Sequence, residues 1–184
     1  MAMAVPQKAA WEALVVDDDP DIRDLLAEFF RSRDLVCATA HDGRAATKAL
    51  EQSRGRFGLV LTDIAMPGAD GFAVLAAARI ANPHCYVVIV TGYAALDTAI
   101  QAVRAGAQDY LTKPFALGQL DVLVNRAAAW LATRRNAART ARRRDDEALA
   151  DVATRLGSVE ARLEGIEASL ARVVAAFAEP RRAD

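Results

Sequence analysis

The sequence predicts an α/β fold: a doubly wound, five-stranded parallel sheet followed by a long C-terminal α-helix. Three observations support this prediction. Five short apolar runs alternate with five segments whose apolar residues recur at helical spacing. The fourth run, residues 86–90, is rich in β-branched residues, as expected of a strand buried on both faces. Residues 119–156 contain no glycine and no proline, so nothing local ends the last helix.

Each element follows from the local pattern. The first apolar run ends in three aspartates, and Pro20 is a suitable first residue for the helix after it. In chain order, the predicted strands are residues 13–16, 35–39, 59–62, 86–90 and 109–112. Five helices are predicted between and after these strands. The first spans residues 20–33, with Ile22, Leu25, Leu26, Phe29 and Phe30 on one face, and the second spans residues 43–52. The third carries Phe72, Val74, Leu75 and Ala78, the fourth carries Leu96, Ile100 and Val103, and the fifth begins near Ala116.

Composition limits the class of protein. The 184 residues are 53% hydrophobic and 26% charged, which allows one sizeable core and a short second module. No apolar segment is long enough to span a membrane, so we expect a cytoplasmic protein with no membrane partner. Cys37 and Cys85 lack the spacing of metal ligands, which favours buried, reduced thiols over a zinc site.

Charge divides the chain into two parts. Residues 1–125 carry 11 basic and 15 acidic side chains, whereas residues 126–184 carry 12 and 9. Six arginines fall within residues 134–144. The N-terminal part of the chain is therefore acidic, with alternating strand and helix patterns, and the C-terminal part is basic and helical.

Polar residues follow four of the predicted strands. Asp17 and Asp18 follow the first, Asp63 the third, Thr91 the fourth and Lys113 the fifth. The carboxyl ends of parallel strands meet at one edge of a sheet, so these side chains should share a crevice. Crowded carboxylates repel one another unless a hard cation such as Mg²⁺ binds them. With a lysine and a hydroxyl beside them, they indicate phosphoryl chemistry.

These motifs resemble the receiver domain of two-component response regulators. The resemblance rests on Asp17-Asp18, on Asp63 before Met66-Pro67-Gly68, on Thr91-Gly92 and on Lys113-Pro114-Phe115, and it covers about residues 12–130. It implies a flavodoxin-like receiver fold. It also implies that Asp63 accepts a phosphoryl group from a histidine kinase or a histidine phosphotransfer protein, giving an aspartyl phosphate.

The resemblance assigns a role to each residue of the site. It implies a Mg²⁺ cofactor held by Asp18, Asp63 and the backbone carbonyl of Ala65, with Asp17 acting through water. Lys113 and Thr91 would bind the phosphate, and Tyr110 would turn inward when Thr91 moves. The Lys113–Pro114 peptide bond would be cis. Such a protein catalyses only its own aspartyl phosphorylation and dephosphorylation, so we expect no other enzyme activity.

These aspartates also allow two other interpretations. Asp63 alone would be read as a turn residue, since Asp readily hydrogen-bonds its own backbone in turns. Asp17 and Asp19 also resemble the Asp-x-Asp motif of haloacid dehalogenase-type phosphatases, in which the first Asp is the nucleophile. That family needs a further acidic pair after its fourth strand, and residues 90–96 contain none.

A heptad pattern follows the basic segment. Its seam alternates steps of three and four residues without a fault, which predicts a coiled coil. The seam residues are Leu149, Val152, Leu156, Val159, Leu163, Ile166, Leu170, Val173 and Phe177. We therefore divide the chain into a flexible N terminus (1–11), a receiver domain (12–132), a basic helical linker (133–147), a coiled coil (148–178) and a tail (179–184).

The heptad pattern also predicts how many C-terminal helices associate and in which orientation. Leucine at a positions and β-branched residues at d positions favour trimers or tetramers over dimers. Arg155 and Arg162 at g positions match Glu160 and Glu167 at e positions in a parallel arrangement. The alternative for this helix is packing against its own receiver.

A second hypothesis for the function is a DNA-binding regulator that uses the basic segment. We disfavour it because such a run of basic residues is more commonly a solvated linker.

Overall fold

The computed structural model describes residues 11–66, 70–92 and 96–178, and the side chains within these ranges except those of Leu96 and residues 173–178. The strands are β1 (Glu12–Val16), β2 (Cys37–Ala40), β3 (Phe57–Asp63), β4 (Tyr86–Thr91) and β5 (Asp109–Thr112). The helices are α1 (Pro20–Arg31), α2 (Gly43–Gln52), α3 (Gly71–Ala81), α4 (Leu96–Ala105) and α5 (Leu117–Ala178). Residues 1–10 of the predicted N terminus and the predicted tail lie outside the described residues.

The five strands form one parallel sheet in the order β2-β1-β3-β4-β5. The strand order reverses direction at β1 and β3, and parallel sheets of this kind bind ligands beyond the carboxyl ends of such strands. The predicted fold class is confirmed, including the long C-terminal helix.

Alternating residues of the strands divide the interior into two hydrophobic cores. Val15, Leu61 and Val90 face the core covered by α1 and α5. Val16, Val60 and Ile89 face the core covered by α2, α3 and α4. Helices on both faces bury the central strands completely, which explains their continuous apolar sequence.

Several element boundaries differ from the prediction, and strand β3, for example, begins at Phe57 and not at residue 59. Helix α1 ends at Arg31, not at residue 33, because the chain turns at Asp34, whose φ is 57°. The amide of Leu35 closes this turn by donating to the carbonyl of Phe30 at 3.1 Å. Strand β2 begins at Cys37, not at residue 35, because Leu35 still belongs to the turn after α1 and the pairing with β1 starts at Cys37.

Two helix faces also differ from a simple apolar stripe. Leu25, predicted on the buried face of α1, is 42% exposed, while Leu26, Phe29 and Phe30 are buried. In α4 the larger residues Ile100 and Val103 are exposed, whereas Ala102 is fully buried. The small methyl side chain of an alanine lets a helix pack close to the sheet. A prediction that places the largest apolar residues on the buried face therefore misses a buried alanine.

The chain divides into two compact units, Met1–Arg134 and Arg135–Asp184. Trp11, assigned from sequence to a flexible N terminus, is buried in the first unit beside Gly58 and Leu131. In the second unit the predicted seam is helical, and its described side chains from Leu149 to Leu170 are 50–67% exposed. Val173 and Phe177 are also helical, but their side chains lie outside the described set.

Within the described residues, no helix is both long enough and apolar enough to cross a membrane.

A polar and aromatic cluster fixes the first turns of α5 to the sheet. We call it the α5 anchor; it consists of Tyr86, Asp109, Arg126 and Trp130. The Tyr86 hydroxyl donates to Asp109 Oδ2 at 3.3 Å, and Arg126 Nη1 lies 2.9 Å from the same oxygen. The Trp130 indole packs edge-on against Tyr86 and donates to the carbonyl of His84 at 3.1 Å.

Burial, the charge of Asp109 and the hydrogen bond to Asp109 raise the pKa of Tyr86 from 10.0 to about 12. Because the folded pKa exceeds the unfolded one, the neutral hydroxyl stabilises the fold below pH 10, and this contribution is lost as the pH rises toward 12. We therefore expect Tyr86→Phe to cost about 1 kcal/mol at pH 9, the net value of one hydrogen bond. The difference between parent and variant should narrow at pH 11. Urea unfolding at both pH values measures it, and a constant difference would contradict the assignment.

Candidate functional site

The parallel sheet brings the predicted polar residues to one edge. Asp63 is the last residue of β3 and Thr91 the last of β4. Asp17 and Lys113 follow immediately after β1 and β5. The strands therefore place at one edge the residues that the sequence predicted there.

Lys113 lies between two of the carboxylates. Its Nζ is 2.6 Å from Asp17 Oδ2 and 2.6 Å from Asp63 Oδ2. Burial alone would lower the pKa of Lys113, but the hydrogen bonds and negative charges of Asp17 and Asp63 outweigh it and raise this pKa. Burial also raises the pKa of Asp17, a tendency that Lys113 opposes. The lysine is thus held as an ammonium in contact with the acidic site.

Asp17, Asp18 and Asp63 form a group suited to a cation. Their carboxylate oxygens lie within 4.8 Å of one another. Asp17 and Asp63 are buried, and Asp18 is exposed. Mg²⁺ binds oxygen at about 2.0–2.1 Å in an octahedron, whose ligand oxygens are about 3–4 Å apart. The oxygen-only donor set and its spacing therefore fit Mg²⁺ with little adjustment.

The backbone around Asp63 fixes its carboxylate. The amide of Ala65 donates to Asp63 Oδ1 at 3.1 Å. The buried hydroxyl of Thr62 donates to the Asp63 carbonyl at 3.0 Å. Gly71 packs so closely that a Cβ added there would overlap that same carbonyl oxygen. The first residue of α3 therefore lies directly against the main chain of Asp63.

Thr91 is the last residue of β4, and Tyr110 lies on the neighbouring strand β5. Thr91 is fully buried, and its carbonyl accepts a hydrogen bond from the Lys113 amide at 2.8 Å, which ties the ends of β4 and β5 together. The Lys113–Pro114 bond is cis. Burial and the negative charge of Asp63 raise the pKa of Tyr110, so its hydroxyl is within electrostatic range of that carboxylate.

Sequence reasoning found the charged side chains of the site and missed parts of their support. The structure brings together Asp17, Asp18, Asp63 and Lys113, with Thr91 and Tyr110 beside them. It does not describe Pro67 or Gly68 of the predicted motif. The missed contacts come from Thr62, Gly71 and Arg23, and Arg23 donates to the main chain of Asp17. Among these three residues, only Gly71 could have been noticed in the sequence, as a glycine at the start of a predicted helix.

An acidic crevice with a paired lysine, at the carboxyl edge of a five-stranded parallel sheet, is the arrangement expected of a receiver domain. The model of the response regulator receiver domain matches residues 13–125. The chain therefore belongs to the response regulator receiver family. This membership argues against the haloacid dehalogenase alternative.

Known relatives share this part of the chain. The response regulator protein PilR of Pseudomonas aeruginosa is 42% identical over 113 residues, which cover 61% of this chain and 25% of that protein. The DNA-binding transcriptional regulator NtrC of Escherichia coli is 39% identical over 113 residues, which cover 61% of this chain and 24% of NtrC. The chain thus spans about a quarter of the length of the curated relatives it matches.

Solved structures give the same result. The crystal structure of NtrX from Brucella abortus in complex with ATP superposes with a TM-score of 0.64 at 33% identity, covering 71% of this chain and 29% of NtrX. A response regulator receiver domain from Clostridium thermocellum gives 0.60 at 28% identity and covers 65% of this chain and 94% of that domain.

Gly71 gives a test of the packing behind Asp63. In Gly71→Ala the new methyl group must displace main-chain atoms of Asp63 and Ile64, so we expect a loss of about 1–3 kcal/mol in the free energy of unfolding, typical of overpacking. Gly118→Ala is the control, because a Cβ there meets open space and the residue is helical. Urea denaturation compares the two. Equal stability of the Gly71 variant and the parent would contradict the close contact.

Proposed function

We propose that this chain is a response regulator that accepts a phosphoryl group on Asp63 from a histidine kinase or a histidine phosphotransfer protein in the cytoplasm. The observation that carries the proposal is the position of the Asp63 carboxylate. It is fixed at the end of β3, 2.6 Å from Lys113 Nζ, beside two further carboxylates. The only chemistry we assign to the chain is its own phosphorylation and dephosphorylation.

The proposed transfer follows from the surroundings of Asp63. A carboxylate oxygen attacks the phosphorus of a phosphohistidine. The O–P bond forms as the N–P bond breaks, and the electron pair of that bond returns to the imidazole nitrogen. Lys113, already an ammonium, offsets the charge of the phosphoryl oxygens. The hydroxyl of Thr91 lies at the same sheet edge and would donate to one of these oxygens.

The residues that would hold Mg²⁺ are Asp18, Asp63 and the Ala65 carbonyl, with Asp17 acting through water. When bound, the ion would supply positive charge that offsets the negative charge developing on the phosphoryl group. The Ala65 amide already donates to Asp63, which holds this part of the loop close to the acceptor.

The output that we propose is the C-terminal coil. Phosphorylation moves Thr91 and Tyr110, alters the face formed by α4, β5 and α5, and changes how the coil is presented to a partner. Seven seam residues with exposed apolar side chains need a partner helix, and the matched charges at e and g positions favour a second copy in parallel orientation. We therefore propose a parallel homo-oligomer, a trimer or tetramer.

DNA binding is the second candidate. The arginines of residues 134–144 are exposed, and relatives such as NtrC are named as DNA-binding regulators. However, the similarity to NtrC covers 113 residues and 24% of that protein, and the receiver model ends at residue 125, before the basic segment. The comparisons therefore lend this segment no specific support, and we favour the coil as the output.

Asp63→Asn tests the phosphoacceptor. Asn keeps the size of the side chain but lacks the nucleophilic carboxylate, so incorporation of phosphate from acetyl phosphate with Mg²⁺ should fall to background. Asp70→Asn is the matched control, since Asp70 caps α3 at an exposed position and Asn also caps helices. Acid-labile labelling with peptide mapping gives the readout. Labelling of the Asp63 variant at the level of the parent would refute the proposal, and a label on Asp17 would revive the phosphatase alternative.

Leu163→Asp tests the coil in the full chain. A carboxylate at the centre of the seam should disrupt helix association and reduce the molar mass measured by light scattering toward that of one chain. Ala168→Asp introduces the same charge at an outer f position and should keep the oligomer of the parent. A parent that is monomeric at all concentrations measured would disprove self-association.

A further inference from the structure

Arg23 connects α1 to the acidic site. Its Nη1 donates to the main-chain carbonyl of Asp17 at 2.7 Å, and its own amide donates to the carbonyl of Asp19 at 3.1 Å. The side chain is partly buried. Arg23 therefore holds the loop between β1 and α1 through both its side chain and its main chain.

This loop needs support that the sheet does not provide. The pairing of β1 with β2 and β3 ends at Val16, and the two adjacent aspartates of the site come directly after it. The amide of Asp17 donates to the Ala40 carbonyl at 3.2 Å, and Asp17 Oδ1 accepts from the Asp19 amide at 3.1 Å. These bonds fix Asp17 more directly than Asp18.

The Asp17 carbonyl belongs to the peptide group that joins Asp17 to Asp18. Peptide groups are planar, so a fixed carbonyl direction also fixes the direction in which the chain enters Asp18. A guanidinium donor makes a stronger hydrogen bond than a neutral donor does, because the donor is charged. Asp18 is the exposed member of the acidic group, and the orientation of its backbone decides where its carboxylate can reach.

We propose that Arg23 is a positioning residue for the magnesium site: by holding the Asp17 carbonyl it orients Asp18 toward the cation. This inference rests on the proposed function, since it assumes that the acidic group binds Mg²⁺. Arg23 touches neither substrate nor reacting atoms, and its effect passes through the peptide between two ligands. Residues that support metal ligands in this way change affinity when they are replaced.

Mg²⁺ titration of the full chain after treatment with a chelator tests the inference. Arg23→Met keeps the length of the aliphatic stem and removes every donor, so its dissociation constant for Mg²⁺, measured by calorimetry, should rise about tenfold or more. Arg31→Met is the matched control, because Arg31 is an exposed arginine at the other end of the same helix. Its affinity should equal that of the parent. Arg23→Lys keeps the charge without the guanidinium geometry and should give an intermediate loss.

Thermal melting without Mg²⁺ separates positioning from stability. A variant Arg23→Met that melts at a lower temperature but binds Mg²⁺ as the parent does would overturn the proposal. If Arg23→Met does not fold, Arg23→Lys provides the test. An affinity of Arg23→Lys for Mg²⁺ equal to that of the parent would then overturn the proposal. A parent that does not bind Mg²⁺ would instead overturn the proposed magnesium site itself, and the role of Arg23 with it.

Discussion

The contact between one ammonium group and two buried carboxylates is the constraint on which the site depends. Lys113 approaches Asp17 and Asp63 to 2.6 Å each, at an edge of the sheet where water is largely excluded. Burial raises the pKa of Asp17, and the negative charge of Asp63 adds to this effect, whereas the hydrogen bond and positive charge of Lys113 oppose it. The lysine keeps the Asp63 carboxylate close to that of Asp17, so the ends of the strands that carry these residues must remain aligned.

The support around this contact acts mainly on main-chain atoms of the site, and the Ala65 amide also holds the Asp63 carboxylate itself. Thr62 and Ala65 hydrogen-bond Asp63, Gly71 packs against its carbonyl, and Arg23 holds the carbonyl of Asp17. Main-chain groups have fixed geometry, so they can hold a carboxylate in place at little cost in side-chain entropy. Reactive groups supported in this way keep their orientation when a ligand replaces water.

Sequence predicted the sheet and the charged residues of the site because both depend on local patterns. Apolar runs ending in Asp63 or Thr91 are visible in the chain, and parallel pairing brings their ends together. The pattern could not show that Leu25 and Val103 are exposed while Ala102 is buried, because helix rotation depends on packing distance. It also could not identify Arg23, whose function depends on a bond to a carbonyl six residues away.

Strand β5 has four residues and lies at one end of the strand order, with β4 as its neighbour in the sheet. Just after its carboxyl end Lys113 contacts the Asp63 carboxylate, and at its amino end Asp109 holds Arg126 of α5. An edge strand can shift while breaking one ladder of hydrogen bonds, whereas a central strand must break two. Lys113, which directly follows this strand, therefore links the charge of the Asp63 carboxylate to a strand with a single neighbour in the sheet, about 13 Å long at 3.3 Å per residue.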